Sequence, residues 1–276
     1  MIEILPIVEK NLTQKAKNNN RDYSYFHASE WDKCHRKIAY EYYESKGYIT
    51  LDGSSIKVSP LKERVYDVGH SAHFRWKGYL EETGALMGKW ECLNHIAHKN
   101  IPRIFGCEEK LGVLKPNSCS CGYTKFRYHE LSFLDDETMW GGSVDAILDL
   151  SLLNTGIPLD ERYLVVDFKT INPMQYKTLT QPMSEHDTQM QIYLYLTNLK
   201  YGKFIYEDKW TQGVKEFLVT RDEAKLSIKK DQAYRLKYLV THTNNQGKRV
   251  LPERAYESRA NSNCLQCKYR SNCWRV

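Results

Sequence analysis

The chain has 276 residues, 41% of them hydrophobic, 12% aromatic and 27% charged, which excludes the disordered and fibrous classes and leaves one large domain or a domain carrying an insertion. No apolar run approaches the ~20 residues that span a bilayer, and a net charge of +6 fits a polyanionic partner without identifying one. Residues 1–21 lack the basic, apolar, small-residue order of a secretory signal, so a cytosolic protein is expected, whose eight cysteines are reduced and serve as metal ligands or sit buried singly.

In chain order, residues 29–32 (SEWD) have capping-box spacing and predict a helix to about Ser45, stopped by Gly47, with Cys34 in or near its first turns. A second helix is expected over about 61–82, ending at Gly84. From Lys89 to Gly122 no period persists, and this segment carries Cys92, Cys107, Cys119 and Cys121; it reads as an insertion organised by something other than a core. Strands are expected at 127–134, 140–150 and 162–170, with a loop at 154–158 (NTGIP) between the last two. A second capping box, 184–187 (SEHD), opens a helix through about Leu199; strands near 203–208 and 215–220 precede a long helix begun at 220–223. This order predicts an α/β fold with a mixed central sheet flanked by helices. The expected divisions are an N-terminal helical region (1–88), the insertion (89–124), a core sheet with its helix (125–220) and a C-terminal helix and tail (221–276).

Alternate residues of a strand share a face, so Asp167 and Lys169 of VVDFKT (165–170) point the same way, as do Ser143, Asp145, Ile147 and Asp149 one strand earlier. Paired as a hairpin, the two strands would bring Asp145 and Asp167 together beside Lys169. Two aspartates suit a hard divalent cation and leave room for water and a phosphate oxygen, while a lysine can orient the attacking water or stabilise developing charge. The same D-x-K pattern also suits a surface ion pair. Upstream, Gly69 and His73 stand four apart in the expected helix, with His70 a rival ligand; downstream, Gln189 and Tyr193 lie one turn apart on one helix face.

In this order G-x-x-x-H (Gly69, His73), GGSVD (141–145), VVDFKT and Q-x-x-x-Y (Gln189, Tyr193) resemble the motif series of RecB-type nucleases of the PD-(D/E)XK superfamily. The likeness is closest to the iron–sulfur branch with the AddB nuclease domains and the CRISPR-associated exonucleases of spacer acquisition, and it covers roughly 24–90 and 125–276. It implies that His73, Asp145 and Asp167 hold a catalytic Mg²⁺ or Mn²⁺, with the Phe168 carbonyl as a possible further ligand, that Lys169 acts on the nucleophilic water, and that Gln189 and Tyr193 support the site or contact DNA. Glu130 falls where the family often has an acidic residue.

Cys264, Cys267 and Cys273 form a compact trio from which three thiolates can reach one cluster. The resemblance supplies a fourth ligand, Cys34 before Arg36-Lys37, and implies a [4Fe–4S] clasp joining the first helix to the tail; zinc on the same four thiolates is the alternative. Cys92, Cys107, Cys119 and Cys121 are expected to hold structural zinc in the insertion, with His95 or His98 able to replace one of them because Cys119-x-Cys121 departs from the usual C-x-x-C. Tyr40, Tyr42, Tyr43, Lys10, Lys15, Lys17 and Arg21 are candidate DNA contacts. The expected activity is a metal-dependent exonuclease on single-stranded DNA in replication, recombination or spacer processing, with those systems supplying any protein partner and no membrane involved; the alternative is a nonenzymatic DNA-binding recombination accessory protein.

Overall fold

Why the first helix starts late is visible at Trp31. The computed structural model describes residues 8–9, 11–12, 22–50, 59–153 and 161–274; the 154–158 loop and Lys10, Lys15, Lys17 and Arg21 lie outside these. The elements run β1 (Phe26–His27), α1 (His35–Ser45), α2 (Pro60–Glu82), β2 (Leu86–Cys92), β3 (Ile104–Phe105), β4 (Val113–Leu114), β5 (Phe126–His129), β6 (Leu131–Asp135), β7 (Trp140–Val144) and β8 (Ala146–Asp149). They continue with β9 (Tyr163–Ile171), α3 (Pro173–Thr178), α4 (Ser184–Thr197), β10 (Tyr201–Asp208), β11 (Val214–Thr220), α5 (Glu223–Thr241), α6 (Ser262–Leu265) and α7 (Arg270–Cys273). The chain forms two units, one of residues 1–68, 135–140 and 227–276, the other of 69–134 and 141–226.

In the first unit, 29–32 do not cap a helix. Ala28–Glu30 form a 3-10 turn, and Trp31 behind it is fully buried, packed on Phe26 and edge-on to Trp140 at 5.5 Å. Burying an indole stabilises by more than the ~1 kcal/mol a cap supplies, so α1 begins after the turn, with Cys34 as its N-cap and the Cys34 carbonyl accepting from Lys37 and Ile38. Tyr40, Tyr42 and Tyr43 all turn inward: Tyr40 stacks on Tyr269 at 5.2 Å, and Tyr43 donates to the Val250 carbonyl at 2.5 Å. Glu44 accepts from Tyr269 and Lys268, so the C-terminal tail is docked on α1.

The second unit holds a mixed sheet in the order β11-β10-β9-β8-β2-β3, with β4 and β5 also pairing with β2. β9 and β10 are parallel and the other pairs antiparallel. A parallel pair needs a long crossover, which α3 and α4 supply. The sheet core gathers Trp90, Phe126, Ala146, Leu148, Leu164, Val166 and Phe168, with Trp76 and Leu80 of α2 packed on it.

Four sequence expectations change here. β2 crosses the expected 88/89 boundary as a strand buried at every residue but Lys89. Its Gly, Lys and Glu hide it from a reading by period, yet the charge is provided for, since Glu91 lies 2.7 Å from His129 Nε2. The supposed insertion contributes β3 and β4 to the same sheet. The strands expected at 127–134 and 140–150 each break in two, at Glu130 and at Asp145. The second capping box also sits one residue off, with Met183 rather than Ser184 at the N-cap of α4.

Candidate active site

Asp145 occupies the bend between β7 and β8, where no ladder claims it. In the β8–β9 register Ala146 faces Val166, so one step further Asp145 comes opposite Asp167. Its Oδ2 accepts the Phe168 N–H at 2.9 Å and its Oδ1 lies 3.1 Å from His73 Nδ1. The Tyr128 hydroxyl donates to the Asp145 carbonyl at 3.2 Å. The carboxylate is therefore held by strand backbone on one side and by α2 on the other.

From α2, His73 and Lys77 project one turn apart. Lys77 pairs with Glu130 and lies 4.0 Å from Asp145 Oδ1, whereas His70 is exposed. Helix α2 is anchored by Glu207 of β10, a buried carboxylate that accepts from Arg75 at 2.5 and 2.7 Å and from the Trp76 indole at 2.7 Å. The Trp76 ring in turn stacks on Phe168 at 5.9 Å.

Asp167 is only 3% exposed. Lys169 Nζ stands 2.7 Å from its Oδ2 as an ion contact, but that oxygen has no aligned hydrogen bond. The same ammonium donates to Gln189 Oε1 at 2.8 Å, and Gln189 Nε2 donates to the Tyr193 hydroxyl oxygen at 2.8 Å. Both Gln189 and Tyr193 are buried, so the chain Tyr193, Gln189, Lys169, Asp167 is fixed from helix α4 to strand β9.

Environment drives the two carboxyls apart. Burial and then the Asp145 charge push Asp167 above the usual carboxylate range against the pull of Lys169. Burial also disfavours charge on Asp145, but His73, the Phe168 N–H and Lys77 outweigh it and hold that carboxyl low. Burial opposes charge on His73 too, and the Asp145 carboxylate reverses this and raises its proton affinity. A buried carboxylate oxygen without an aligned donor, a second carboxylate and an imidazole make a donor set suited to Mg²⁺ or Mn²⁺, and an ion bound there would compete with protons for His73.

The site contains residues that motif reading missed. Lys77 follows His73 at i+4, a spacing that could have raised it. Tyr128 reaches Asp145 only because Gly88 leaves room on the neighbouring strand: a Cβ at Gly88 would overlap the Tyr128 ring. A glycine inside a strand is itself the signal of such an approach. Phe168, expected through its carbonyl, supplies its N–H to Asp145.

The cysteines separate into two sets. Cys34, at the start of α1, and Cys264, Cys267 and Cys273 of the tail all belong to the first unit, and each is partly buried. Burial, and then the charges of Cys34 and Cys273, raise the Cys267 thiol. In the second unit Cys92, His98, Cys119 and Cys121 bring their ligand atoms within 4.8 Å of one another. Cys107 stands apart from this group. It is exposed, just past Gly106, which packs against the Gly88 carbonyl and carries the loop outward; His98 occupies the fourth position, and His95 lies 3.8 Å from Glu91 instead.

The family model of the PD-(D/E)XK nuclease superfamily matches residues 67–274, a span containing every residue of the candidate catalytic set. The chain belongs to this superfamily. Its members share a sheet-and-helix core and divalent-metal chemistry, and here that core carries the His73, Asp145, Asp167 and Lys169 set. No curated protein matches the chain. Similar solved structures include the crystal structure of SSO0001, at 14% identity and TM-score 0.46, covering 98% of this chain and 95% of that one. An alkaline exonuclease, LHK-Exo from Laribacter hongkongensis, is similar at 18% identity and TM-score 0.32 over 41% of this chain and 58% of that one. Its complex with dAMP is similar at 13% identity and TM-score 0.43 over 79% and 89%. Among the described residues no helix is long and apolar enough to cross a membrane.

Proposed function

We propose that this PD-(D/E)XK chain is a divalent-metal-dependent deoxyribonuclease, an exonuclease that hydrolyses single-stranded DNA in the cytosol during replication, recombination or spacer processing. The observation that carries the nuclease reading is the convergence of Asp145, His73 and the buried Asp167 beside a lysine held between Asp167 and Gln189. A bare surface ion pair would not need Asp167 to be buried, and a DNA-binding module would not need the set at all. The preference for single strands rests on the likeness of the motif series to RecB-type nucleases.

Asp145, Asp167 and His73 would hold Mg²⁺ or Mn²⁺, with the Phe168 carbonyl as a further ligand. When bound, the ion supplies Lewis acidity at the phosphate and lowers the pKa of its water. Lys169 has its ammonium fixed by Gln189, so it enters the reaction already aimed and can orient the attacking water or meet charge building on the phosphate. Tyr193, its phenol held protonated by burial, keeps Gln189 in the orientation that accepts from Lys169. The Asp145 carboxylate cannot swing away while the Phe168 N–H and His73 hold it.

Cys34, Cys264, Cys267 and Cys273 would hold a [4Fe–4S] cluster with an architectural role. The cluster reading rests on the likeness of Cys34 and the Cys264, Cys267, Cys273 trio to the iron–sulfur branch of the RecB-type nucleases, and zinc on the same four thiolates is the alternative.

The test is degradation of end-labelled single strands by purified protein with Mg²⁺ or Mn²⁺ and with EDTA. EDTA is expected to abolish cleavage, and Asp167→Ala and Lys169→Ala each to lower kcat by about 10²-fold or more. Full activity in both variants would refute the site, and DNA binding without EDTA-sensitive cleavage would favour the accessory role.

A further inference from the structure

We infer that Cys92, His98, Cys119 and Cys121 form a structural zinc site of three thiolates and one imidazole, which braces the β2–β5 ladder behind the catalytic aspartate. The four ligand atoms come from three separate segments and all lie within 4.8 Å of one another. Cys92 Sγ is 3.8 Å from Cys121 Sγ, and Cys119 Sγ is 3.3 Å from His98 Nε2. Zn–S bonds of about 2.3 Å at tetrahedral angles separate two sulfurs by about 3.8 Å. A disulfide needs about 2.05 Å and would leave the third thiol unused.

Local backbone explains why these four meet. Cys119 and Cys121 flank a tight turn in which Gly122, at φ +79°, returns its N–H to the Cys119 carbonyl at 2.8 Å, and the Cys119 N–H bonds to the Tyr123 carbonyl at 2.8 Å. That turn aims two thiols to one side. His98 comes from the 95–101 turn, closed by the Asn100 N–H on the His95 carbonyl at 2.8 Å. Cys92 ends β2, and both it and Cys119 are buried in the sheet core, 0% and 4% exposed. Thiols in the interior need no metal, but an imidazole nitrogen aimed at them from a loop with little apolar packing has no role in a purely apolar core. The segment between β2 and β5 contributes only the two-residue strands β3 and β4, so a bound ion would supply the stability that its own packing lacks.

The site is 36 residues upstream of Tyr128 at its first ligand and seven upstream at its last, on either side of the ladder in which Trp90 faces Tyr128. Tyr128 donates to the Asp145 carbonyl. Zinc would thus hold the end of the ladder whose middle positions Asp145, a positioning role without contact to substrate.

The experiment measures zinc in full-length protein purified from zinc-supplemented cells, in wild type, His98→Ala, Cys119→Ser and Cys107→Ser. One zinc per chain is expected in wild type and in Cys107→Ser, and its loss in the other two. Cobalt-exchanged wild type should show intense thiolate charge-transfer bands with tetrahedral ligand-field bands, and these should vanish in Cys119→Ser. Circular dichroism checks that each variant is folded, and iron content, expected unchanged, separates this site from the clasp. Zinc retained in both His98→Ala and Cys119→Ser, or lost in Cys107→Ser alone, would overturn the assignment, as would folded wild-type protein free of zinc.

Discussion

At the scale of single residues, the proposed catalytic constellation depends on a missing methyl group. Gly88 of β2 lies under the Tyr128 ring, and the Tyr128 hydroxyl is what fixes the Asp145 carbonyl at its bend. Alanine at 88 would force the ring aside, since a Cβ there overlaps it, and overpacking of this kind costs about 1–3 kcal/mol. Gly88→Ala is therefore expected to lower the melting temperature and to reduce kcat more than KM, because Asp145 would lose its position while the DNA contacts remain. Tyr128→Phe separates the two effects: it removes the hydroxyl without crowding, and should reduce activity while costing only the ~1 kcal/mol of one hydrogen bond. Thermal unfolding and steady-state kinetics on both variants measure this; a Gly88→Ala protein with wild-type values in both would show that Tyr128 does not position Asp145.

At the scale of elements, α2 matters as a carrier of His73 and Lys77, and its seat on the sheet is Glu207. The carboxylate is 6% exposed and takes three hydrogen bonds from Arg75 and Trp76, so Glu207→Ala would leave the Trp76 indole N–H and the Arg75 guanidinium without it. Arg75 and Trp76 are both only partly buried and can recover some water, which discounts the ionic share. The expected loss is about 2–3 kcal/mol, read by chemical denaturation, with weaker metal binding by calorimetry as His73 moves. Unchanged stability would mean that Glu207 does not seat the helix. These elements also show what sequence could and could not reveal. β9 carries Asp167 with Lys169 and α4 carries Gln189 with Tyr193 at spacings set by a single strand or helix, so period paired each set, and the resemblance to the RecB-type motif series joined the two. Lys77 and Tyr128 depend on how a helix lies over a strand and how two strands register, which no local pattern encodes. β2 was hidden because its Gly88, Lys89 and Glu91 break both the alternation and the apolar run of a strand, and SEWD misled because Trp31 gains more from burial than the helix gains from a cap. The exchange of Cys107 for His98 has a related cause, since loop folding rather than spacing chooses which of six candidates reach one point.

At the scale of the whole molecule, the proposed catalytic set and the Cys92, His98, Cys119, Cys121 group lie in the second unit, and the cysteines proposed to form a clasp lie in the first. A clasp through Cys34, Cys264, Cys267 and Cys273 would tie positions far apart in the sequence, and cross-linking so long a loop restricts the unfolded chain by on the order of 5 kcal/mol in the loop-entropy model. Packing already brings these segments together, since Tyr269 is buried against Tyr40 and bonded to Glu44, so a cluster would secure a docked tail rather than create the docking. Cys273→Ser is then expected to lose iron and the brown colour, to unfold at a lower temperature, and to release the tail to limited proteolysis, while zinc content stays the same. Cleavage per folded molecule at low temperature should persist, because Asp145, Asp167 and Lys169 belong to the other unit. Iron-free Cys273→Ser that unfolds as wild type does would reduce the cluster to an ornament on an independently stable tail, and loss of cleavage with the fold intact would give the cluster a part in the chemistry itself.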